Sequence, residues 1–503
     1  MKNTVILFLL LLGLQQKMYA QNVAVPNANF KMYLLGNNAI NTNGDTEIQM
    51  VEAQAFTGAI DVSSRGINDL TGIEAFTALS ELWCGNNQLT TLDLSANTML
   101  TQLYCFANQL SSLDLSANTA LTHLDCSANP LTSLDISANT SLIQLDCNSA
   151  QLTALNVSNN VTLTQLGCSD NQLTSLDVSN NTLLESLDCA NNQLTALTIN
   201  TNTVLDRLYC FYNQLTNLDV SSNAALTLLN ASNNQLTNLD VSNNVALLEL
   251  NLRSNQLSAL NVSHNTVLRE LNVSDNQFAS LDLSAVTLLK DLRCSFNQLT
   301  SLDLSTNTVL EDLRCRSNLL TTLDFSTNLA LEQLLCDTNQ LTTLDLGGQT
   351  VLRELWCGYN QLTNLNVKNG NNANFIYFGA QNNPNLACIQ VDNVNYSTNN
   401  WTNIDATATF NTVCGPSSTA NLGEELSNVL FYPNPTTDNL TIQLPNLHST
   451  VQLTIKNVMG QMLINKAFSD IQYIDLGLEF EPGIYFVEIK AEEKQKTIKI
   501  IKN

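Results

Sequence analysis

Residues 89–109 read LTTLDLSANTMLTQLYCFANQ, and close variants of this 21-residue stretch follow one another along most of the chain. One position marks the repeat most clearly, because a cysteine or another apolar residue returns there at every step. That position is occupied by Cys84, Cys105, Cys126, Cys147, Cys168, Cys189, Cys210, Ala231, Leu252, Val273, Cys294, Cys315, Cys336 and Cys357. A constant period of this length is typical of a solenoid, in which near-identical units stack on one another.

Each repeat also predicts its own secondary structure. Leu103 and Cys105 alternate with residues of the exposed type, which is the period-two pattern of a short β-strand. Strands from successive repeats would stack into a parallel sheet with Leu and Cys pointing inward. About ten residues remain for the return path, too few for a full helix and two turns. The sequence therefore predicts a mainly β solenoid with a parallel sheet and extended or 3₁₀-like return segments.

Two columns of asparagine follow the same period. One runs from Asn87 to Asn360 and is broken at Ala150, and the other begins at Asn97 and ends at Asn328. A buried amide can both donate and accept hydrogen bonds, so such a column can satisfy the backbone groups of adjacent turns. We interpret both columns as structural.

The recurring cysteines are predicted to be buried free thiols. Neighbouring strands lie about 4.8 Å apart with parallel side chains, whereas a disulfide needs Cβ atoms that face one another. The replacements Ala231, Leu252 and Val273 indicate that the position needs an apolar group and not sulfur. A metal site built from this column is therefore not expected.

An acidic column, which starts at Asp93 and ends near Asp345, supplies ten carboxylates. It could form a calcium-binding or charge-repelling edge. It could instead make Asx-type hydrogen bonds to the neighbouring backbone, which asparagine also makes. Asn156 and Asn261 replace aspartate within the column and favour the second interpretation.

The pattern L-x-x-L-x-C-x-x-N-x-L of residues 100–110 resembles the core of the leucine-rich repeat family. The resemblance covers residues 60–370, and the repeats look like the short cysteine-ladder repeats of bacterial internalins. It implies a leucine-rich repeat solenoid that binds through the face of its sheet. It further implies an adhesin-like protein that recognises a protein or a glycan.

The net charge and the N-terminal residues indicate which partners and which cellular location to expect. The formal net charge is −24 with only 20 Lys and Arg residues, which argues against a nucleic-acid partner. Residues 1–20 read as a signal peptide, with Lys2, an apolar run and a cleavage position after Ala20. No later stretch approaches the ~20 apolar residues of a membrane span. We expect a protein that is secreted or held on the outer cell surface.

Residues 21–59 lack the repeat and are predicted to cap the solenoid, whose core would otherwise face water. Within them, residues 41–52 resemble an EF-hand or dockerin-type calcium loop. Through that resemblance the metal ligands would be Asn41, Asn43, Asp45, Glu47 and Glu52. The pattern departs from the family at Asn41, in place of aspartate, and at Thr46, in place of glycine. Calcium at this cap and a capping loop without metal both remain open, and no other cofactor is expected.

Three segments follow the repeats. Residues 371–414 are predicted to cap the far end, with Cys388 and Cys414 as the candidate disulfide in an exported chain. Residues 415–427 have the composition of a linker. Residues 428–503 contain short alternating strands with turns between them, which predicts a small β-sandwich.

The blocks YPNPTTDNLTI (432–442) and GIYFVEI (483–489) resemble the C-terminal sorting domain of the type IX secretion system. This resemblance implies a Bacteroidetes-type bacterium and transport across the outer membrane by that machinery. It also implies removal of the domain after transport.

The unusual residues of the repeats collect on the predicted strand and its exit. Between residues 80 and 367 every Trp and Tyr lies there, together with most of the cations, whereas the return half is small, polar or acidic. Exposed aromatic and arginine side chains are the usual anchors of interfaces. The candidate ligand-binding residues are Trp83, Tyr104, Phe106, Tyr209, Phe211, Tyr212, Arg253, Arg293, Arg314, Arg316, Trp356 and Tyr359. Alternatively, a constrained return half leaves all variation to this face, and internal ion pairs absorb its charge.

Two functions remain open from the sequence. The first is an adhesin-like binding protein for a protein or a glycan. The second is a structural or matrix component of the cell-surface coat without a discrete ligand. An enzyme is not expected, because His123 and His264 are more than six repeats apart and no nucleophile motif, metal-ligand cluster or phosphate loop occurs.

Overall fold

One short strand recurs in every repeat and builds the main sheet. In residues 89–109 this strand is Gln102–Tyr104, in which Leu103 is buried and its two neighbours are half-buried. Leu103 lies opposite Leu82 of the preceding repeat and Leu124 of the following repeat, so equivalent residues stack in register. The period-two pattern of the sequence thus produces a sheet with one buried side.

A computed structural model describes residues 21–414, 429–448, 450–491 and 494–503. The chain divides into two compact units, Met1–Cys414 and Gly415–Asn503. The predicted signal peptide and linker, residues 1–20 and 415–427, lie outside the described residues.

The strands of the first unit are mostly three residues long. In chain order they are β1 Ala59–Asp61, β2 Glu81–Trp83, β3 Gln102–Tyr104, β4 His123–Asp125, β5 Gln144–Asp146, β6 Gln165–Gly167, β7 Ser186–Asp188, β8 Arg207–Tyr209, β9 Leu228–Asn230, β10 Glu249–Asn251, β11 Glu270–Asn272, β12 Asp291–Arg293, β13 Asp312–Arg314, β14 Gln333–Leu335, β15 Thr343–Asp345, β16 Glu354–Trp356, β17 Asn364–Asn366, β18 Tyr377–Gly379, β19 Cys388–Gln390 and β20 Thr409–Asn411. Strands β1 to β14, with β16 and β18, form a sixteen-stranded sheet in chain order, and β15, β17, β19 and β20 form a second sheet. All of these pairs are parallel.

Helices are short and lie outside the regular repeats. Helices α1 (Ala28–Gly36) and α2 (Met50–Ala55) precede the solenoid, and α3 (Val394–Asn400) follows it. Single 3₁₀ turns occur at Ile73–Ala75 and Asn372–Asn374. The return halves of the repeats consist of turns and extended stretches. The mainly β, parallel-sheet solenoid predicted from the period is confirmed.

The ladder cysteines point into the core. All eleven of them, from Cys84 to Cys357, are buried and free of disulfides. Burial raises the pKa of the Cys84 thiol to about 12, so the thiol stays protonated and unreactive at neutral pH. At the interrupted positions Ala231, Leu252 and Val273 are equally buried.

The asparagine column that begins at Asn87 ties adjacent turns together. In a typical member, the Nδ2 of Asn213 donates to the carbonyl oxygens of Cys189 and Cys210 at 3.0 and 3.2 Å. Its Oδ1 accepts from the backbone amide of Leu194 at 2.9 Å. These groups are buried, where an unpaired polar atom costs about 1–3 kcal/mol.

The turn before Ala150 shows the effect of a missing amide in this column. The amide of Leu131, whose equivalents donate to an asparagine Oδ1, donates instead to the carbonyl of Asn129 at 2.9 Å. Thr132 then adopts a left-handed conformation with φ 58°. The asparagine side chains therefore fix the backbone conformation of each turn as well as satisfying its hydrogen bonds.

The acidic column is exposed and closes its own turns. Asp219 is typical, since its carboxylate accepts from the backbone amide of Ser221 at 2.9 Å. Hydrogen bonds from the Ser221 hydroxyl and amide lower the pKa of this carboxyl. Asn261 accepts in the same way from Ser263 at 3.0 Å, which supports the Asx-turn interpretation of the column.

Replacement of Asp219, Asp240 and Asp282 by asparagine is expected to make the protein less sensitive to acid. Hydrogen bonds from the following serine hold the folded-state pKa of each carboxyl below its unfolded value. Their contribution to stability is therefore complete at neutral pH and is lost as the pH falls below about 4. Thermal melts should agree near neutral pH and diverge near pH ~3, with the smaller acid-induced drop in the variant. Equal drops would contradict this account.

The parallel ladders continue beyond residue 370. Strand β18 pairs with β16 through a step two residues longer than the repeat, and β19 and β20 extend the second sheet. Cys388 and Cys414 are joined by a disulfide, with their Cα atoms 5.7 Å apart. Phe378 stacks on Trp401, with ring centroids 4.1 Å apart. These contacts cover the end of the solenoid core.

The second unit is a separate β structure with its own core. Its strands are β21 Leu430–Tyr432, β22 Asn439–His448, β23 Val451–Asn457, β24 Met462–Phe468, β25 Ile471–Gly477, β26 Gly483–Ala491 and β27 Lys494–Lys502. They form two antiparallel sheets, ordered β21-β22-β25 and β24-β23-β26-β27. Residues from both sheets, such as Leu440, Ile442, Leu453 and Val487, are buried in one cluster. This arrangement is a small β-sandwich.

Candidate binding face

The outer side of the sixteen-stranded sheet, which we call the strand face, carries all of the candidate ligand-binding residues. It comprises the first and third residues of each strand and the second and third residues after it. The candidates do not form one cluster. Trp83 and Trp356 lie thirteen repeats apart, about 60 Å along the sheet at the usual strand spacing. The face therefore offers separate regions and not a single pocket.

Two similar aromatic stacks mark the ends of this face. The sequence Glu-Leu-Trp-Cys-Gly occurs at 81–85 and again at 354–358. Trp83 stacks on Tyr104 with ring centroids 4.1 Å apart, and Trp356 stacks on Tyr377 at 3.9 Å. Tyr377 was not among the candidate residues, because the longer step before β18 takes it out of the 21-residue register.

Two phenylalanines of the candidate set serve partly to pack the face itself. The ring of Phe106 covers Gly85, where an added Cβ would lie 2.6 Å from it. Phe211 packs edge-on against Tyr212, with centroids 5.9 Å apart. Both phenylalanines are half-buried. Their contribution to a ligand site would therefore be smaller than that of the exposed rings.

The most exposed aromatic rings of the face sit on strained backbone. Tyr212, Phe296 and Tyr359 occupy equivalent positions with φ of 51°, 56° and 54°. Their side chains are 57, 48 and 57% exposed. The left-handed conformation costs an ordinary L-residue about 1–2 kcal/mol, and asparagine tolerates it best. Asn191 and Asn233 fill this position in other repeats.

The arginines of the candidate set are already paired with carboxylates. The pairs are Arg253–Asp275 at 2.7 Å, Arg293–Asp291 at 2.6 Å, Arg314–Asp312 at 2.8 Å and Arg316–Asp337 at 2.9 Å. Such partly exposed pairs contribute about 0–1 kcal/mol to stability. The internal ion pairs of the alternative interpretation are therefore present, and the arginine charges are locally neutralised.

A recess lies on the strand face between β8 and β12. Tyr209 stands at one end and Arg293 at the other. Between them the third strand positions hold only Asn230, Asn251 and Asn272, which lie opposite one another in register. The recess encloses about 130 Å³, well below the roughly 300–1,000 Å³ of a typical small-molecule site. The recess is large enough to hold only a part of a larger partner.

The recess is lined on one side by carboxylates without partners. Glu249 and Glu270 occupy neighbouring first strand positions. Within the described residues, neither side chain makes an ion pair or a hydrogen bond. Desolvation and the adjacent charges of Glu249 and Asp291 raise the pKa of Glu270, against the opposing effect of Arg293. This part of the face therefore carries unbalanced negative charge.

The candidate calcium loop in the N-terminal cap is closed by its own hydrogen bonds. One carboxylate oxygen of Glu52 accepts from the Thr42 amide at 2.8 Å and the Thr42 hydroxyl at 2.9 Å. Its other oxygen accepts from the Gln49 amide at 3.0 Å. Burial opposes ionisation, but these hydrogen bonds outweigh it and lower the pKa of Glu52. Asp45 accepts from Asn43 and Gln49.

The other proposed ligands of this loop are engaged as well. Asn41 Oδ1 accepts from the Gly44 amide at 3.1 Å, and Glu47 forms an ion pair with Lys31 at 2.8 Å. Across the part of the chain that the structure describes, no group of three or more His, Cys, Asp or Glu residues is placed to hold a metal ion. The oxygens of this loop thus act as hydrogen-bond acceptors for the backbone and for neighbouring side chains.

We expect calcium to leave the N-terminal cap unchanged. Each oxygen that calcium would need already has a protein donor, so binding would have to break these hydrogen bonds. Isothermal titration of the full chain with calcium should give no binding heat, and the melting temperature should not move. Binding heat that disappears in Glu52→Gln, but not in the solvent-facing control Glu185→Gln, would establish a calcium site here instead.

Comparison with known proteins assigns the second unit. Residues 430–503 match the family model of the secretion system C-terminal sorting domain. The predicted type IX sorting domain is confirmed, and with it a secreted or outer-surface protein. Within the described residues, no helix has the length and apolar character needed to cross a membrane. No curated protein sequence matches the chain significantly.

Solved structures resemble the solenoid. The functional domain of InlJ from Listeria monocytogenes, which includes a cysteine ladder, is 26% identical, with a TM-score of 0.66 over 96% of this chain and 100% of that one. A leucine-rich repeat protein of Leptospira interrogans is 25% identical, with a TM-score of 0.57 over 62% and 92%. YopM, a leucine-rich effector protein of Yersinia pestis, is 26% identical, with a TM-score of 0.54 over 67% and 91%. The cysteine-ladder leucine-rich repeat architecture is therefore confirmed.

Proposed function

We propose that this protein is an adhesin-like binding protein that recognises a protein or a glycan through its strand face. The observation that carries the proposal is the placement of Tyr212, Phe296 and Tyr359. These aromatic rings are exposed on left-handed backbone, at a position where other repeats use asparagine, aspartate, serine, threonine or alanine. Tyr212 has an edge-on contact with Phe211, whereas Phe296 and Tyr359 make no ring contact among the described residues. Exposed aromatic rings on strained backbone are typical anchors of interfaces.

The likeness to InlJ and YopM supports a binding role in general terms. Both are bacterial proteins whose solenoid resembles this one, and the fold presents an extended sheet surface. The sorting domain delivers such a surface to the outside of the cell. The ion pairs along β12 and β13, which neutralise the arginines, suit the alternative of a structural surface coat without a ligand.

The test compares the native chain with a variant in which the three strained aromatics become asparagine. Full-length protein would be applied to arrays of extracellular proteins and of glycans. We expect retention by a discrete partner, with affinity reduced at least about tenfold in Tyr212→Asn/Phe296→Asn/Tyr359→Asn. The variant should remain folded, because asparagine suits the left-handed backbone. Self-association without any retained partner would favour the structural alternative and overturn the proposal.

A further inference from the structure

We infer that the recess between β8 and β12 binds a polypeptide segment of the partner that carries lysine or arginine side chains. This inference rests on the proposed binding function and narrows it to one region and one ligand chemistry.

The recess is three repeats wide because, at the third strand position and the third position after the strand, large side chains stand only at its two ends. Arg253 of the middle repeat lies at the second position after its strand and is paired with Asp275. Strand β8 presents Tyr209 and the exposed Tyr212, and β12 presents Arg293 and the exposed Phe296. The three repeats between them have only short side chains at the equivalent positions. These short residues are Asn230, Asn233, Asn251, Ser254, Asn272 and Asp275. The separation of the two walls is four strand steps, or about 19 Å, which suits an extended segment of several residues.

The same three repeats differ from the others inside the solenoid. Their inward ladder positions are Ala231, Leu252 and Val273 in place of cysteine. On the outer side, short residues also occur at the third strand position of β4 to β7, which hold Asp125, Asp146, Gly167 and Asp188, but asparagine stands there only in β9 to β11 of the sixteen-stranded sheet. The change to asparagine outside and the loss of cysteine inside therefore coincide in one block of the chain. A structural coat protein without a ligand gives no reason for three neighbouring repeats to differ from the rest. A specialised binding region accounts for the different residues on the strand face.

The floor of the recess offers hydrogen-bond donors. The Oδ1 atoms of Asn230, Asn251 and Asn272 accept from backbone amides at 3.2, 3.2 and 3.1 Å. Among the described residues, their Nδ2 groups have no acceptor. Three amide donors at strand spacing therefore face outward, where they can donate to carbonyl oxygens of a bound polypeptide.

The charge of the recess selects for a cation. Glu249 and Glu270 lie one strand apart, and neither forms an ion pair among the described residues, although Arg293 at the far wall offsets part of the charge around Glu270. Like charges at about 5 Å repel each other, and a lysine or arginine side chain between them would remove this repulsion. The ring of Tyr209 at the adjacent wall adds a surface for cation–π contact. A neutral glycan would leave the repulsion in place, and the described residues contain no metal-binding group there.

The experiment uses full-length protein and a fluorescent hexalysine peptide, with hexaglutamine peptide and cellohexaose as neutral probes. Fluorescence anisotropy would be measured at an ionic strength of about 0.05 M. We expect hexalysine to bind most tightly, and Glu249→Gln/Glu270→Gln to weaken it about tenfold. The matched control Glu185→Gln/Glu332→Gln removes the same net charge from exposed positions immediately before β7 and β14, outside the recess, and should change the affinity less than about twofold.

Equal weakening by both double variants would show general attraction to an acidic chain and would overturn the inference. The absence of hexalysine binding, or tighter binding of cellohexaose, would overturn it as well. These outcomes can be distinguished from a failure of the proposed binding function. If the three strained aromatics still control binding of an array partner while Glu249→Gln/Glu270→Gln has no effect, the binding function stands and the assignment of a cationic segment to the recess falls.

Discussion

Deletion of residues 430–503 is expected to abolish delivery of the protein to the outer surface. These residues match the secretion system C-terminal sorting domain and form a sandwich with a core of their own. The solenoid has a separate core and ends in its own aromatic and disulfide-linked segment. The truncated chain should therefore fold, but it should accumulate inside the cell envelope. Surface proteolysis and fractionation of an epitope-tagged chain would measure this.

The control for this deletion is a transfer experiment. Residues 415–503, fused to a fluorescent protein that carries the signal segment 1–20, should direct that protein to the surface. A destabilising change in the sandwich core, Val487→Asp, should reduce delivery of the full chain, because Val487 is fully buried and a buried carboxylate is strongly unfavourable. Normal surface delivery of the truncated chain would contradict the assignment of the second unit as the determinant of transport.

Asn213→Ala is expected to destabilise the solenoid by about 3 kcal/mol. The substitution removes the one acceptor that the buried Leu194 amide has among the described residues, and two of the hydrogen bonds to neighbouring carbonyls. The carbonyls of Cys189 and Cys210 each keep a second donor, the Nδ2 of Asn192 at 3.2 Å and the Nδ2 of Asn234 at 3.0 Å. The loss is therefore smaller than if every partner of Asn213 became unpaired. Urea unfolding monitored by circular dichroism would measure the change.

The matched control is Asn217→Ala, in the same repeat. Asn217 is exposed, and its side chain makes no hydrogen bond to the described residues, so its replacement should change the free energy of unfolding by less than about 0.5 kcal/mol. Equal effects of the two substitutions would show that the column is not a source of stability. A negligible effect of Asn213→Ala would mean that this turn can rearrange as the turn before Ala150 does.

The architecture and the inward columns could be predicted because they depend on local pattern and constant spacing. A residue such as Leu103 must lie over Leu82 when no insertion changes the 21-residue step, and a buried Asn108 must then find backbone partners. The constant register ends after residue 370, where the step from β16 to β18 is two residues longer than the repeat. For this reason Tyr377, which stacks on Trp356, could not be placed from the register.

The partners of charged side chains could be predicted only in part. The positions of arginines such as Arg293 in the repeat were enough to place them on the strand face. Their pairing with carboxylates depends on side-chain rotamers and on neighbours one repeat away, as in Arg253 with Asp275. The hydrogen bonds that close the loop around Glu52 depend likewise on how the chain folds back on itself.

By itself, the sequence determined that this chain forms a stacked parallel sheet, buries its thiols and carries a second domain for transport. Strict periodicity brings identical residues into contact, so one repeat predicts the others. Only the tertiary structure decided where the strand face has unbalanced charge and empty space. The recess between Tyr209 and Arg293 is a difference between repeats, and it arises from side chains that are distant in sequence and adjacent in the sheet.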